Sequence, residues 1–146
     1  QAAIGFNQFK RLDKLKKMRN SNRNLILKKI KNSKKWNNQF NFIIPSKDID
    51  PSWMGLPILI DKKFKKIKST FVDILDQAGI ETRPIISGSF VNQPAVKLYK
   101  LNKNNEKFYE AQKAQDLGFL IGLHTNKISG KQLNLIHDTF FKIDTL

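Results

Sequence analysis

The stretch Asp50-Pro51-Ser52-Trp53-Met54-Gly55-Leu56-Pro57-Ile58-Leu59-Ile60 decides the fold of this 146-residue chain, together with Gly79-Ile80-Glu81-Thr82-Arg83-Pro84-Ile85-Ile86-Ser87-Gly88-Ser89-Phe90-Val91-Asn92-Gln93-Pro94-Ala95-Val96-Lys97 further on. Trp53 to Ile60 is rich in large apolar residues and reads as a strand. Pro57 points to an edge position or a bulge, because proline cannot donate to a strand ladder. Asp61 is placed to cap the helix that follows, where Phe64, Ile67, Phe71, Ile74, Leu75 and Ala78 recur at helical spacing and Gly79 supplies the left-handed end. Ile80 to Ile86 is predicted to be a second strand, limited in its pairing by Pro84. Ser87-Gly88-Ser89 reads as a turn leading into one or two helical turns within Gln93 to Leu101.

Working outward, Phe108 to Leu117 reads as a helix ending at Gly118, and Phe119 to Leu123 as a short buried strand. Ser129-Gly130-Lys131-Gln132 has the Ser-x-x-Gln form of a capping box, opening a final helix with Leu133, Ile136, Phe140 and Ile143. On the other side, Phe40, Phe42, Ile43 and Ile44 suggest a short extended piece within a polar segment. Ile4, Phe9, Leu12, Leu15, Met18, Leu25, Ile26 and Ile30 space a helical stripe through residues 1 to about 35, with a bend expected near Asn20-Ser21-Asn22. The strand and helix alternation predicts an α+β architecture, a small sheet covered by helices. A start on Gln1, already inside a helical pattern, suggests that residues 1–36 are a linking helix from a preceding domain and residues 37–146 a domain of their own.

Composition narrows the function classes. No run of about 18 apolar residues is present and the Lys-rich start is no secretory signal, so a soluble, cytoplasmic protein without membrane contact is expected. Zero Cys excludes disulfides, thiolate metal sites and thiol catalysis, and leaves His124 and His137 as the only imidazoles. The net charge is +15, of which residues 1–35 carry +11, with Asp13 their only acid. That density keeps open a basic binding module for nucleic acid or an acidic protein partner. Only four of the 27 cations are Arg, however, and phosphate and base recognition favours Arg forks, so nucleic acid is the disfavoured partner.

The residues by themselves carry little catalytic signal. There is no glycine-rich phosphate loop, no His-Glu-x-x-His and no Gly-x-Ser-x-Gly elbow. Arg83, the only Arg after residue 23, sits late in an apolar strand, where its fork could meet an anion or pair with Glu81. Ser87, Ser89, Asn92 and Gln93 form a polar cluster suited to hydrogen-bonding a sugar or its phosphates, and turn chemistry explains Ser and Gly there equally well. His124 follows a predicted strand, where it could project into a cleft or simply cap the strand end. His137 reads as a surface or partner-facing residue, and Trp53 as core.

The stretch from Asp50 to Lys97 resembles the C-terminal domain of the DegT/DnrJ/EryC1/StrS family, the pyridoxal-phosphate-dependent enzymes of nucleotide-sugar metabolism. Gln1-Ala2-Ala3-Ile4-Gly5 with Gln8, Leu12 and Arg19 is similar to the helix on which that family's chain leaves its large domain. Phe119-Leu120-Ile121-Gly122-Leu123-His124 with Ile128-Ser129 is similar to its closing strand and last helix. Thr82-Arg83, the Gly-containing loop and Gln93-Pro94 most resemble the branch of nucleotide 4-keto-6-deoxy-sugar 3-dehydratases, although Ser89 stands where that branch has Asn and Asn92 where it has Arg.

The resemblance implies the small C-terminal domain of the aspartate-aminotransferase type I fold, with a mainly antiparallel sheet, in a homodimeric parent. Pyridoxal or pyridoxamine 5′-phosphate would be the parent's cofactor and a nucleotide-linked 4-keto-6-deoxy sugar its substrate. The sugar aminotransferases of the same family are the alternative. The base, His in dehydratases and Lys in aminotransferases, would belong to the large domain, so no catalytic residue is expected within 1–146 and no cofactor on this chain alone. Arg83, Ser87, Ser89, Asn92, Gln93 and His124 would supply at most one wall of the substrate site.

Overall fold

Leu56, Ile58 and Ile60 alternate with Gly55, Pro57 and Leu59, and only the first three are fully buried, as expected when one face of a strand meets the core. The computed structural model describes residues 2–86, 88–102 and 106–146. In it β1 (Phe40–Phe42), β2 (Gly55–Ile60), β3 (Thr82–Arg83) and β4 (Gly118–Gly122) form one antiparallel sheet in the order β1-β2-β4-β3. Register places Phe40 opposite Ile60, Ile58 opposite Phe119, and Leu56 opposite Ile121, so the large side chains meet across strands on the core face.

Helices α2 (Leu12–Lys31), α3 (Lys68–Gln77) and α6 (Gly130–Phe140) supply the other half of that core through Ile26, Ile30, Phe71, Leu75 and Phe140. Phe40, Phe71, Phe119 and Phe140 interlock, with centroids 5.1 Å apart for Phe40 and Phe140, and 5.9 Å for Phe71 against both Phe40 and Phe119. The caps form as the sequence predicts. Asp61 accepts from the Lys63 amide at the start of a 3-10 turn leading into α3, Gly79 takes φ +79, and Ser129 and Gln132 close a capping box on α6.

Four expectations are corrected. The first segment does not bend at Asn20-Ser21-Asn22: α1 (Ala2–Phe9) ends at a turn over Lys10 and Arg11, and α2 runs unbroken through the Asn pair. Asn22 is buried because its side chain serves another segment, donating to the carbonyls of His124 and Asn126 at 2.9 and 2.7 Å and accepting from the Ile128 amide at 3.0 Å. The apolar stripe divides at the same turn, with Ile4, Phe6 and Phe9 exposed on α1 and Ile26 and Ile30 in the core.

Pro57 does not mark an edge, since β2 lies between β1 and β4. The β1 pairing covers only Ile58 to Ile60, so the proline sits past the end of that ladder. The strand expected over 80–86 shrinks to Thr82–Arg83, pinned by Asp76, which accepts from the Thr82 amide and hydroxyl at 2.8 and 3.0 Å. Finally, His137 lies between α2 and α6, with its ring edge-on to Phe141 at 5.0 Å.

The remaining helices are α4 (Pro94–Leu98) and α5 (Tyr109–Leu117), and α5 is tied to the segment before α3 by Lys65 and Asp116 at 2.7 Å. The hydrogen bond from Lys65, reinforced by Gln112 and the nearby Lys68, holds the Asp116 carboxyl below the usual carboxylate range. That contribution to stability is complete above the unfolded carboxyl value of 3.8 and is lost as pH falls through the depressed folded value. Acid titration followed by circular dichroism should therefore show a loss below that value that is blunted in Asp116→Asn. Asn22→Ala should cost about 2–4 kcal/mol in urea unfolding, because three backbone groups lose their partner at once.

Candidate functional site

Arg83 ends the edge strand β3, where only one side of the backbone is paired and the side chain is free to leave the sheet. It turns back along its own strand: Nε and Nη2 donate to the same oxygen of Glu81 at 3.1 and 2.7 Å. Both side chains are about 70% exposed (68% and 72%), so water screens the pair and its strength is about 0–1 kcal/mol. An incoming anion of higher charge can take the fork from Glu81 at that small cost, since bidentate anion contacts are the stronger ones.

The loop after β3 is seated on α5 by uncharged amides. The Gln115 side chain accepts from the Ser89 backbone amide at 3.0 Å and from Asn92 Nδ2 at 3.1 Å, while Asn92 Nδ2 also donates to Gln112 at 2.7 Å. Gly88 makes the close approach possible, with φ +65 and a position where a Cβ would lie 2.9 Å from Gln115 Cγ. Ser89 is buried, and its hydroxyl makes no hydrogen bond to the described residues. It lines a polar depression with Asn92, Asn102, Tyr109 and Gln112. Gln93 caps α4 through its backbone, and Ser87 lies outside the described residues.

His124 emerges where β4 ends. It is exposed, its Nδ1 accepts from the Asn126 amide at 3.2 Å, and it lines a cleft of about 320 Å³ between β4, α2 and α6. The floor of that cleft is Ile26, Ile80, Ile121, Ile128 and Ile136, and Glu81 stands at its rim. The candidates therefore fall into two groups: Glu81, carrying Arg83, shares the cleft with His124, whereas Ser89 and Asn92 belong to the depression on α5.

Sequence reasoning missed Gln112 and Gln115, which position the loop; their i, i+3 spacing on a polar helix face was the available signal. It also counted Arg23 only within the +11 of residues 1–35. Arg23 is buried, donates from Nη2 to the Ile43 carbonyl at 2.6 Å and lies 4.5 Å from the Trp53 ring, and burial holds its guanidinium below the usual range. Among the described residues no group of three or more His, Asp or Glu could hold a metal ion.

The model of the DegT/DnrJ/EryC1/StrS aminotransferase family matches residues 1–139. A GDP-4-keto-6-deoxy-D-mannose 3-dehydratase of Escherichia coli O55:H7 is 29% identical over 127 residues, covering 84% of this chain and 30% of the relative. In structure, the chain is similar to an E. coli GDP-4-keto-6-deoxy-D-mannose-3-dehydratase with bound hydrated PLP, at TM-score 0.73 and 24% identity over 94% of this chain and 33% of the other. It is also similar to the Helicobacter pylori aminotransferase PseC, involved in pseudaminic acid biosynthesis, at TM-score 0.76 and 20% identity over 99% and 37%. The chain thus spans about a third of the length of the proteins it matches.

Gly88→Ala should strain the left-handed residue and push against Gln115, costing about 1 kcal/mol or more. Hydrogen exchange should then accelerate at the Ser89 amide while the β2 and β4 amides keep their protection.

Proposed function

The chain belongs to the DegT/DnrJ/EryC1/StrS aminotransferase family, and from that membership we propose that it is the small C-terminal part of a pyridoxal-phosphate-dependent 3-dehydratase. The substrate is a nucleotide-linked 4-keto-6-deoxy sugar, and the product enters deoxysugar and lipopolysaccharide biosynthesis in the cytoplasm. Residues 1–36 are the helical link from the large domain, to which α1 offers the exposed Ile4, Phe6 and Phe9. The parent is a homodimer. The observation that carries the dehydratase reading is the 29% identity to the E. coli dehydratase across 84% of the chain. The likeness to a sugar aminotransferase over 99% of the chain keeps the aminotransferase reading second.

The residues present do not fit the cofactor itself. Its phosphate needs several donors and its ring a facing base. In the cleft beside His124, Asn22 is committed to three backbone groups, Glu81 to Arg83, His124 Nδ1 to Asn126 and Gln132 to the capping box. What remains is an apolar floor with the exposed Asn126 and Lys127 and the second ring nitrogen of His124. We therefore assign the cofactor and the catalytic base to the part of the parent outside residues 1–146.

This domain's contribution is binding and orientation. Arg83 exchanges Glu81 for the anionic nucleotide diphosphate, and the Ser89 hydroxyl and the Asn92 amide bond the sugar or its phosphates, with Ser87, Gln93 and His124 as further wall residues. The test is an assay of the complete enzyme, supplied with pyridoxal phosphate and glutamate, on GDP-4-keto-6-deoxymannose. Loss of the 3-hydroxyl is expected, with KM raised about tenfold in Arg83→Ala, which is a loss of roughly 1.4 kcal/mol of binding. An aminated sugar as product would move the assignment to aminotransferase, and no turnover of either kind would overturn it.

A further inference from the structure

Away from both site groups, two side chains of α6 meet a third from the turn that follows α2. His137 Nε2 lies 3.0 Å from Ser33 Oγ, and His137 Nδ1 lies 2.7 Å from Asp138 Oδ1. The hydrogen bond from His137 holds the Asp138 carboxyl below the usual range, so the carboxylate can only accept and Nδ1 carries the proton. Nε2 of the neutral ring is then the acceptor, and the Ser33 hydroxyl donates to it. Nucleophile, base and orienting acid thus stand at hydrogen-bonding distance, the relation that activates a serine on unrelated folds.

The surroundings suit the same chemistry. The His137 side chain is only 17% exposed and is fixed edge-on to Phe141 at 5.0 Å, which restrains ring rotation. Ser33 and His137 open together into a groove of about 430 Å³, lined also by Leu25, Leu133, Asn32, Lys28 and Lys29. The Lys35 amide donates to Ser33 Oγ at 3.2 Å and, with the lysines, favours negative charge on that oxygen.

We propose that Ser33, His137 and Asp138 form a second chemical site, in which Ser33 is an acyl acceptor for small activated esters. Ser33 Oγ adds to the ester carbonyl carbon while its proton passes to His137 Nε2. The tetrahedral oxyanion faces Asn32, Lys28 and Lys29. Its collapse breaks the bond to the leaving alkoxide, which takes the proton from His137 and departs as an alcohol, leaving an acyl-Ser33. Water attacking through the same base releases a carboxylic acid and restores Ser33, with no oxidant, reductant or further reactant. His137 acts directly on the reacting oxygen, and Asp138 is a positioning residue.

The probe is p-nitrophenyl acetate given to the 146-residue chain, with p-nitrophenolate release followed by absorbance and the acetylated position by peptide mass mapping. Acetyl-Ser33 is expected, formed at least tenfold faster than acetylation of Ser46 or Ser52. General-base catalysis predicts a rate that rises with pH. His137→Gln should slow the step about a hundredfold and flatten the pH profile, since a positioned base contributes at least that much. Asp138→Asn should slow it less. Acetylation confined to lysines, or a Ser33 rate unchanged in His137→Gln, would overturn the proposal. Should His137→Gln not fold, Ser33→Ala decides: loss of the phenolate burst in a folded chain supports the site, and a retained burst refutes it.

Discussion

Four phenylalanines from four different elements close on one another at the centre of this domain and tie those elements together. Phe40 comes from β1, Phe71 from α3, Phe119 from β4 and Phe140 from α6. Burying a phenylalanine side chain contributes about 1.5–3 kcal/mol, and edge-to-face pairs such as Phe71 with Phe119 and with Phe140 add a directional preference. Because β1 has only three residues, its place at the sheet edge rests on the Phe40 ring as much as on its short ladder. The polar clasps then fix what the aromatic cluster brings near. Gln39 is fully buried and joins the Lys35 carbonyl to Asp144, which binds the last turn of the chain to the start of β1.

What could be read in advance follows the range of the interaction. The α3 stripe, its Asp61 and Gly79 ends, and the capping box of α6 are local patterns, and each appears where the residues put it. The errors concern partners distant in sequence. Asn20-Ser21-Asn22 resembles a helix breaker until the loop around Asn126, more than 100 residues later, takes up the Asn22 amide. Pro57 argues for an edge until the short length of β1 leaves its missing donor without consequence. The extent of β3 was illegible for the same reason, since its pairing with Ile121 and Leu120 of β4 covers only Thr82 and Arg83. Of the candidate site, Arg83, Ser89 and Asn92 were legible as chemistry, whereas the glutamines that hold the loop were not, because their role exists only once α5 lies beside it.

The distribution of charge also changes meaning in three dimensions. As a sequence, residues 1–35 are a block of +11. Folded, Arg23 is inside against Trp53, and Lys16 reaches Asp50 at 2.6 Å. The Arg residues suited to forked recognition are thereby partly withdrawn from the surface, leaving it mostly to lysines. Arg83, outside that helix and paired with Glu81, remains an exposed fork.

The amides beneath the 88–93 loop have one further property. A carboxylate can only accept, so Asp116, already taken up by Lys65, receives Gln112 Nε2 at 3.0 Å and obliges the other end of that amide to present its oxygen to Asn92. Asn92 must then offer its nitrogen, and Gln115, receiving that nitrogen, is left with its oxygen toward the Ser89 backbone. The row has a single sense, like a line of compass needles set by one magnet, and no member can reverse alone. A pair of opposite charges on the surface thus dictates the handedness of the contacts beneath a loop that carries no charged side chain among its described residues.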